Sequence, residues 1–340
     1  MGMSDFKRNL ITEITETVFP SGYKNNELGV RCPFCGDSRK DLRHYHLNIR
    51  INPDDDMPLV FRCLRCNTSG ILNSELLAMI GASSSEYGME LKKYNKLSCK
   101  KNGIIINKKG INLKIPEVKI TDKVKQKHAY IEERLGLNLD IQELANKKVV
   151  YDFIELMKYN KIDKLNGTME KIISLQNEHV GFLSARNDFI NFRNIMGSKN
   201  RYYIYKLRPT IDTTGKFYIM PNKIDPFSDK MTTINIAEGV FDILGIYYHI
   251  FNKREDNIIY TAINGAGYMN VLKYIMSCGI LCTVNINIFS DADREPDYYN
   301  RMIKQLSPFV NQIRLFYNDI GKDYGVPKDK IKLKEVMISK

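Results

Sequence analysis

Two stretches of the sequence decide the fold prediction: TINIAEGVFDILGIYY, residues 233–248, and VNINIFSDADRE, residues 284–295. In each stretch, apolar β-branched residues alternate with polar ones, and the run then ends at carboxylates. A short apolar run that is closed by a turn signal is typical of a buried β-strand. Glu238, Asp291 and Asp293 therefore follow the ends of two predicted strands, which is where open α/β sheets bind ligands.

The pair Asp291 and Asp293, with one residue between them, suits a hard divalent cation. Mg²⁺ takes oxygen ligands and commonly holds the phosphates of a substrate as well. A helix continuing from Glu238 places Asp242 one turn further along the same face. Acids that follow strands often only cap the next helix, and this alternative applies to any single pair. Two such strands with a third acidic site downstream, at Asp323, favour a metal site over capping.

Strands and helices alternate through the second half of the chain, a pattern typical of βαβ units. NIIYTAINGAGYMN, residues 257–270, predicts a strand, a glycine turn and the start of a helix. QIRLFYN, residues 312–318, predicts a further strand, and two helices near 128–145 precede strands within 178–195. The predicted fold is α/β, or α+β overall, with a mixed α/β subdomain followed by an α/β sheet domain.

Four cysteines form two CxxC pairs, Cys32 with Cys35 and Cys63 with Cys66. The 27 residues between the pairs hold two alternating runs around NPDDD, which predict a β-hairpin with a cysteine knuckle on each strand. Four thiolates at this spacing are typical of a zinc ribbon, and a zinc site closed by four cysteines is structural rather than catalytic. The alternative is two unrelated reduced pairs.

Two histidines, His44 and His46, lie in the first strand of this hairpin. Alternation places them on the same strand face as Asn48 and Arg50. They could replace a cysteine as zinc ligands, although four cysteines already suffice. A polar, basic hairpin face can also contact nucleic acid or simply be solvated, and the sequence leaves these choices open.

The chain has 340 residues, enough for two or three domains, and a net charge of +12, which suggests a polyanionic partner. Twelve lysines and two acidic residues between Lys92 and Lys127 account for most of that charge. This stretch suits either nonspecific phosphate contact or a solvated, flexible linker. The predicted boundaries are 1–83 for a zinc-ribbon domain with an N-terminal helix, 84–125 for a basic linker, 126–230 for the mixed subdomain, 231–328 for the sheet domain and 329–340 for a tail.

Membrane and secretion signals are not apparent in the sequence. No apolar run reaches the ~18–20 residues that a membrane span needs, and the N-terminus MGMSDFKRNL lacks the apolar region of a signal peptide. Seven cysteines, an odd number, argue against a disulfide framework. We therefore expect a soluble, cytoplasmic protein with no membrane partner.

Three acidic motifs, EGVFD at 238–242, SDADRE at 290–295 and GKD at 321–323, resemble those of the TOPRIM fold. Bacterial and phage primases, type IA and II topoisomerases and some nucleases share that fold. The cysteine segment RCPFCGDSRKD…FRCLRCNTSG resembles the zinc domain of such primases, and is especially similar to that of the stand-alone primases of T4-like bacteriophages. AYIEERLGL, residues 129–137, is similar to the helix that opens their RNA polymerase region.

This resemblance implies a DNA primase, a DNA-dependent RNA polymerase that makes short RNA primers on single-stranded DNA. It implies ribonucleoside triphosphates as substrates, structural Zn²⁺, catalytic Mg²⁺ or Mn²⁺, a replicative helicase acting in trans and, for a phage-encoded protein, the host cytoplasm. Glu238, Asp291 and Asp293 would be catalytic, with proton transfer as an alternative role for Glu238. The implied magnesium ligands are Glu238, Asp242, Asp291, Asp293 and Asp323, and the candidates for nucleotide or template contact are Arg186, Arg193, Lys199, Arg201 and Lys206.

The chain also departs from the primase pattern. Only Gly181 remains of the usual glycine-rich basic stretch, and the third acidic motif carries the lone Asp323. A TOPRIM nuclease is one rival interpretation, although it would not need the zinc ribbon. A non-catalytic recombination mediator is another, although mediators lack a segment like 128–230. A topoisomerase would need an active-site tyrosine in a further domain. Packing of 128–230 against the sheet domain to make one basic cleft would favour the primase, whereas a separate domain would weaken that interpretation.

Overall fold

The computed structural model describes residues 3–37, 40–66, 68–82, 84–101, 113–162, 165–197, 201–207, 214–222, 231–277, 284–307 and 310–336. Within these ranges the chain forms three sheets with helices packed on them, so the predicted mixed α/β class is confirmed. Every helix in this part of the chain is too short or too polar to span a bilayer.

The N-terminal module is a five-stranded antiparallel sheet with three helices. Its elements are α1 (Met3–Thr17), β1 (Ser21–Lys24), β2 (Glu27–Val30), β3 (Leu47–Arg50), β4 (Val60–Cys63), β5 (Ser69–Ile71), α2 (Ser74–Ile80) and α3 (Ser84–Lys101). Strands β3 and β4 form the predicted hairpin, with Leu47 opposite Cys63. Helix α1 buries Leu10 and Ile14 in the core of this module, as its helical spacing predicts.

Helix α3 occupies the first part of the segment for which we predicted a basic linker. Leu91 and Tyr94 are buried in the N-terminal core. The buried amide of Asn95 accepts a hydrogen bond from the backbone of Leu59 and donates one to the backbone of Leu72. Residues 84–101 therefore form a packed helix and not the predicted linker. The many lysines of this segment made its few apolar residues at helical spacing hard to recognise.

The second module contains a four-stranded antiparallel sheet in the order β6-β7-β8-β9. One face of this sheet packs on α6 and α7, while its other face joins a core that includes α4 and the third module. The described part of 128–230 therefore packs against the sheet domain. The elements are α4 (Asp122–Leu135), α5 (Ile141–Asn146), β6 (Val149–Val150), α6 (Phe153–Tyr159), α7 (Met169–Glu178), β7 (His179–Leu183), β8 (Phe189–Asn194) and β9 (Tyr202–Lys206).

The third module is a six-stranded sheet in the order β10-β12-β11-β13-β14-β15, with four parallel central strands and antiparallel edges. Its elements are β10 (Tyr218–Ile219), β11 (Thr232–Ala237), α8 (Val240–Gly245), β12 (Ile258–Ala262), α9 (Tyr268–Ser277), β13 (Val284–Ser290), α10 (Asp297–Leu306), β14 (Gln312–Asn318) and β15 (Leu333–Val336). The predicted range 231–328 for this domain leaves out both edge strands. These strands are recognisable only by their pairing with a neighbour, which depends on tertiary contacts.

Candidate metal centres

The two strands singled out from the sequence are neighbours in the centre of this sheet. Ala237 of β11 lies opposite Phe289 of β13 in parallel register. Helix α8, which follows β11, packs on one face of the sheet, and α10, which follows β13, packs on the other. Ligands of open α/β sheets bind at such a reversal, beyond the carboxyl ends of the strands. Glu238 and Asp291 are the residues at this position.

The five predicted acids lie within electrostatic reach of one another. The pKa of Asp291 is raised to about 7, mainly by burial and in addition by nearby negative charges. Those charges, in decreasing order of effect, belong to Asp242, Glu238, Asp323 and Asp293. Like charges held together in a partly buried site disfavour ionisation unless a cation neutralises them.

Two carboxylate oxygens in this acidic cluster fit a divalent cation. Oδ1 of Asp291 and Oδ1 of Asp323 are buried, and neither has a hydrogen-bond partner within the described part of the chain. A buried acceptor without a partner costs about 1–3 kcal/mol. Among the described residues, no three acidic side chains bring oxygens within 4.8 Å of one another. These acids alone do not surround a single point, so water and substrate phosphates would have to complete the coordination of a bound Mg²⁺.

Asp242 is engaged with the backbone on both of its oxygens. Oδ2 accepts a hydrogen bond from Gly239 N at 2.9 Å, at the start of α8. Oδ1 accepts from Tyr324 N at 3.2 Å and from Gly325 N at 3.1 Å. Burial, reinforced by the charge of Asp323, raises the pKa of Asp242 to about 6. These contacts favour a positioning role for Asp242 over the direct metal ligation predicted from sequence.

The loop that carries Asp323 passes unusually close to α8. A Cβ atom at Gly245 would overlap the carbonyl oxygen of Tyr324, and one at Gly325 would lie 2.8 Å from Cβ of Phe241. Both positions therefore need glycine for this approach of backbone to helix. The approach places Asp323 close enough to Asp242 and Asp291 for its charge to raise the pKa of both.

Gly245→Ala is expected to push this loop away from α8 and to lower the free energy of unfolding by about 1–3 kcal/mol. Chemical denaturation measures the change. The matched control is Gly88→Ala within α3, where a new Cβ would lie 3.5 Å from Cβ of Ser74, an ordinary contact. Because alanine favours helix, the control should be neutral or stabilising by up to about 1 kcal/mol. Equal stability of Gly245→Ala and the wild type would contradict the close approach.

Cationic side chains balance part of the acidic charge. Lys322 lowers the pKa of the exposed Asp293 through a hydrogen bond. Two further cations, Arg134 and Arg294, contact two of the other acids and were not predicted from the sequence. The three ion pairs are Arg294 with Glu238 at 3.6 Å, Lys322 with Asp293 at 3.1 Å and Arg134 with Asp323 at 3.9 Å.

The predicted basic residues do not form a single group. Arg193 donates from Nε to the hydroxyl of Tyr130 on α4, at 3.4 Å, and its guanidinium lies 4.4 Å from the ring centre of Tyr202. Arg186, in the turn between β7 and β8, lies 4.9 Å from the ring centre of Tyr274 on α9. These two arginines therefore border different helices.

The remaining basic candidates lie along or next to the outer strand β9. Arg201 and Lys206 are exposed at its two ends. Tyr202 and Ile204 are also exposed on this strand, and alternation places them on the same side as Lys206, so one aromatic, one aliphatic and one basic side chain share its open face. Such a combination suits single-stranded nucleic acid, in which phosphates and bases are both accessible. Lys199 lies outside the described residues.

The four cysteines of the predicted zinc ribbon do converge. Their Sγ atoms all lie within 4.8 Å of one another, with Cys32 and Cys66 3.8 Å apart and Cys35 and Cys63 3.9 Å apart. Four sulfurs at the Zn–S distance of about 2.3 Å define a tetrahedron with edges of about 3.8 Å. A hydrogen bond from Cys32 lowers the pKa of the Cys66 thiol to about 4. The geometry and the donor set both fit zinc.

Asp37 holds the first cysteine knuckle in place. Its buried carboxylate accepts hydrogen bonds from Cys32 N at 2.7 Å and from His46 N at 3.3 Å. Nδ1 of His46 lies 2.9 Å from Oδ1 of Asp37. Carboxylates in this position orient metal ligands. His46 therefore contacts the support of the cysteine site, whereas the sequence left its role open.

Comparison with known proteins gives no match to a protein-family model and none to a curated protein. Solved structures do match. The chain is similar to primase catalytic cores. The E. coli primase catalytic core is 13% identical, with 61% of this chain and 69% of that chain covered and a TM-score of 0.40.

Two further matches are a DnaG catalytic core and a DnaG primase catalytic domain bound to single-stranded DNA. Each is 16% identical with a TM-score of 0.39, over 60% of this chain and 68% or 67% of its own length. The likeness to these cores is partial. Function is therefore inferred from the chemistry of the two centres.

Several residues at these centres were not predicted from the sequence. Arg134, Arg294 and Asp37 each contact a candidate ligand or its backbone. Each of them lies inside a segment quoted above, Asp37 in RCPFCGDSRKD, Arg294 in SDADRE and Arg134 in AYIEERLGL, so their membership of these motifs was an available signal.

Proposed function

We propose that this chain is a DNA primase that makes short RNA primers on single-stranded DNA from ribonucleoside triphosphates, with Mg²⁺ or Mn²⁺ as the catalytic ion. The observation that carries the proposal is the mutual electrostatic influence of five acids near the reversal of the sheet, where Oδ1 of Asp291 and Oδ1 of Asp323 are buried without partners among the described residues. Such a site is suited to the transfer of a nucleotidyl group to a hydroxyl, in which a bound cation offsets the charge of the phosphates.

The reaction would join the 3′-hydroxyl of one nucleotide to the α-phosphate of the next, with release of pyrophosphate. A divalent ion, when bound, neutralises phosphate charge and aligns the displacement. Asp291, Asp293 and Asp323 would hold the ion, and Asp242 would keep the loop of Asp323 in place. Glu238 remains a candidate for ligation or for accepting the hydroxyl proton, since it is partly exposed and paired with Arg294.

The second module would supply the nucleotide and template contacts. It shares a continuous hydrophobic core with the sheet domain, an arrangement that a zinc and TOPRIM recombination mediator would not need. The zinc-bound ribbon would help to select the initiation site, and a replicative helicase would act in trans in the cytoplasm, or in the host cytoplasm for a phage protein. The candidates for nucleotide and template contact are Arg186, Arg193, Lys199, Arg201 and Lys206.

The proposal predicts that the purified protein, with single-stranded DNA, the four ribonucleotides and Mg²⁺, will make short RNA. The DNA and one ribonucleotide carry different labels, so that a single gel reports the fate of both. RNA products with intact DNA would support the primase. Degraded DNA with no RNA would instead favour the TOPRIM nuclease, and unchanged DNA with no RNA would favour a non-catalytic protein. Omission of the DNA is the control, because a primase depends on its template.

A further inference from the structure

Arg134 joins the second module to the loop that carries Asp323. Its Nε donates to the carbonyl of Gly325 at 3.1 Å, and its Nη2 lies 3.9 Å from Oδ2 of Asp323. The guanidinium also lies 4.4 Å from the ring centre of Phe241 on α8. The Arg134 side chain is only 22% exposed, which strengthens its charge interactions relative to those of a surface arginine.

Tyr130, one helical turn earlier on α4, extends this contact to β8. Its hydroxyl oxygen accepts from Nη1 of Arg134 at 3.5 Å and from Nε of Arg193 at 3.4 Å. Burial alone would raise the pKa of Tyr130, but the hydrogen bonds from the two arginines outweigh it and lower the pKa. The hydroxyl therefore links two guanidinium groups, one at the acidic cluster and one on the second sheet.

The two oxygens of Asp323 have different environments. Oδ2 faces Arg134, whereas Oδ1 is buried and has no hydrogen-bond partner in the described part of the chain. The charge of Asp323 also acts against those of Asp242 and Asp291. Without a cation on its outer side, this carboxylate would be repelled from the cluster. Arg134 opposes that repulsion and leaves Oδ1 available to an ion.

We propose that Arg134 is a positioning residue for the divalent-ion site: it holds Asp323 against the other acids and, through Tyr130, couples the site to Arg193. The inference rests on the proposed function in taking the ion to be the one that primer synthesis requires. It assigns to α4 of the second module a direct part in assembling a site whose acids all come from the third module.

The test is a measurement of Mn²⁺ binding to the zinc-loaded, full-length protein by electron paramagnetic resonance. Arg134→Met keeps the stem over Phe241 but removes the charge, and should weaken Mn²⁺ binding about 10-fold, as expected for a residue that orients a ligand. Arg301→Met removes an exposed arginine on α10 and should leave binding unchanged. Unchanged binding in Arg134→Met, or no Mn²⁺ binding by the wild type, would overturn the inference.

A double-mutant cycle separates positioning from general stability. If Arg134 acts through Asp323, the double variant Arg134→Met/Asp323→Asn should bind Mn²⁺ about as weakly as Asp323→Asn alone. Additive losses would show that Arg134 acts in another way and would overturn the inference. Arg134→Lys retains the charge, so it provides a second test if the methionine variant fails to fold. Its affinity should fall between those of the wild type and Asp323→Asn, and wild-type affinity would argue against a geometric role.

The outcome for Arg134 is separable from that for primer synthesis. Mn²⁺ binding needs neither DNA nor ribonucleotides, so the positioning role can stand even if the wild type makes no RNA. Conversely, RNA synthesis by the wild type together with unchanged Mn²⁺ binding in Arg134→Met would leave the primase in place and remove the positioning role.

Discussion

Replacing Asp291 with asparagine is expected to abolish RNA synthesis and, without divalent ions, to make the protein more stable than the wild type. The loss of synthesis should be about 10³-fold or more, because a central ion ligand is removed from a site that must offset phosphate charge. Stability should rise because the ionised carboxylate is partly buried beside four other acids. After allowance for solvent screening, a gain of about 1–2 kcal/mol is expected.

The pH dependence of this gain has a definite sign. The pKa of Asp291 is raised from 3.8 to about 7 on folding, so the folded protein binds more protons than the unfolded chain within that window. The contribution of Asp291 to stability therefore falls as pH rises from about 4 to 7 and is constant above it. The difference between Asp291→Asn and the wild type should grow over the same range.

Denaturation curves in buffer without Mg²⁺, at several pH values, measure this difference. Glu295→Gln is the matched control, because it removes one exposed negative charge from the same loop region. It should retain RNA synthesis and show little change in stability. If Asp291→Asn is less stable than the wild type at pH 8 without Mg²⁺, the repulsion among the acids does not destabilise the ion-free protein, and the account of the acidic cluster is contradicted.

Cys63→Ser, or removal of zinc by a chelator, is expected to unfold the N-terminal module while the rest of the chain stays folded. Structural zinc contributes about 10–16 kcal/mol to the folding of zinc-finger peptides. Cys63 is the last residue of β4 and pairs with Leu47 of β3, so a zinc ion bound there would fix this end of the β3–β4 hairpin. The buried clusters of the second and third modules contain none of the four cysteines, and the N-terminal module meets the third module through Met79 of α2.

Limited proteolysis with mass spectrometry distinguishes these regions, and atomic spectroscopy counts zinc. The wild type should carry one zinc ion, and Cys63→Ser should lose it and be cleaved within residues 3–82. Cys99→Ser is the matched control, because Cys99 is buried on α3 and is not part of the cysteine cluster. It should keep its zinc. Wild-type protein that lacks zinc but resists cleavage in this region would contradict the assignment.

The parts of the fold that follow from local pattern could be predicted from sequence. Alternating runs that end at Glu238 and Asp291 correctly indicated two strands, which pair in the sheet, and the two CxxC pairs indicated a hairpin with converging thiols. These features are set by the period of the strand and by the spacing of residues close together in the chain.

Features that depend on tertiary contact could not be predicted in this way. Strand β15 is recognisable only through its pairing with β14, and Arg134 contacts the backbone of Gly325 across a separation of 191 residues. Helix α3 was predicted as a linker because of its many lysines, whereas Leu91 and Tyr94 are in fact buried. The roles of Asp242 and Asp323 also depend on which oxygens the backbone already occupies, which no spacing rule reveals.

The most direct test of the central claim is to sequence the RNA that the protein makes on two single-stranded DNA templates of different, defined sequence. Asp291→Asn serves as the blank on both templates. The acidic cluster and the second module together predict short RNAs that are complementary to each template and absent from the blank. RNA that is unrelated to the template, equal amounts of RNA from the blank, or no RNA on either template would contradict the assignment of this chain as a primase.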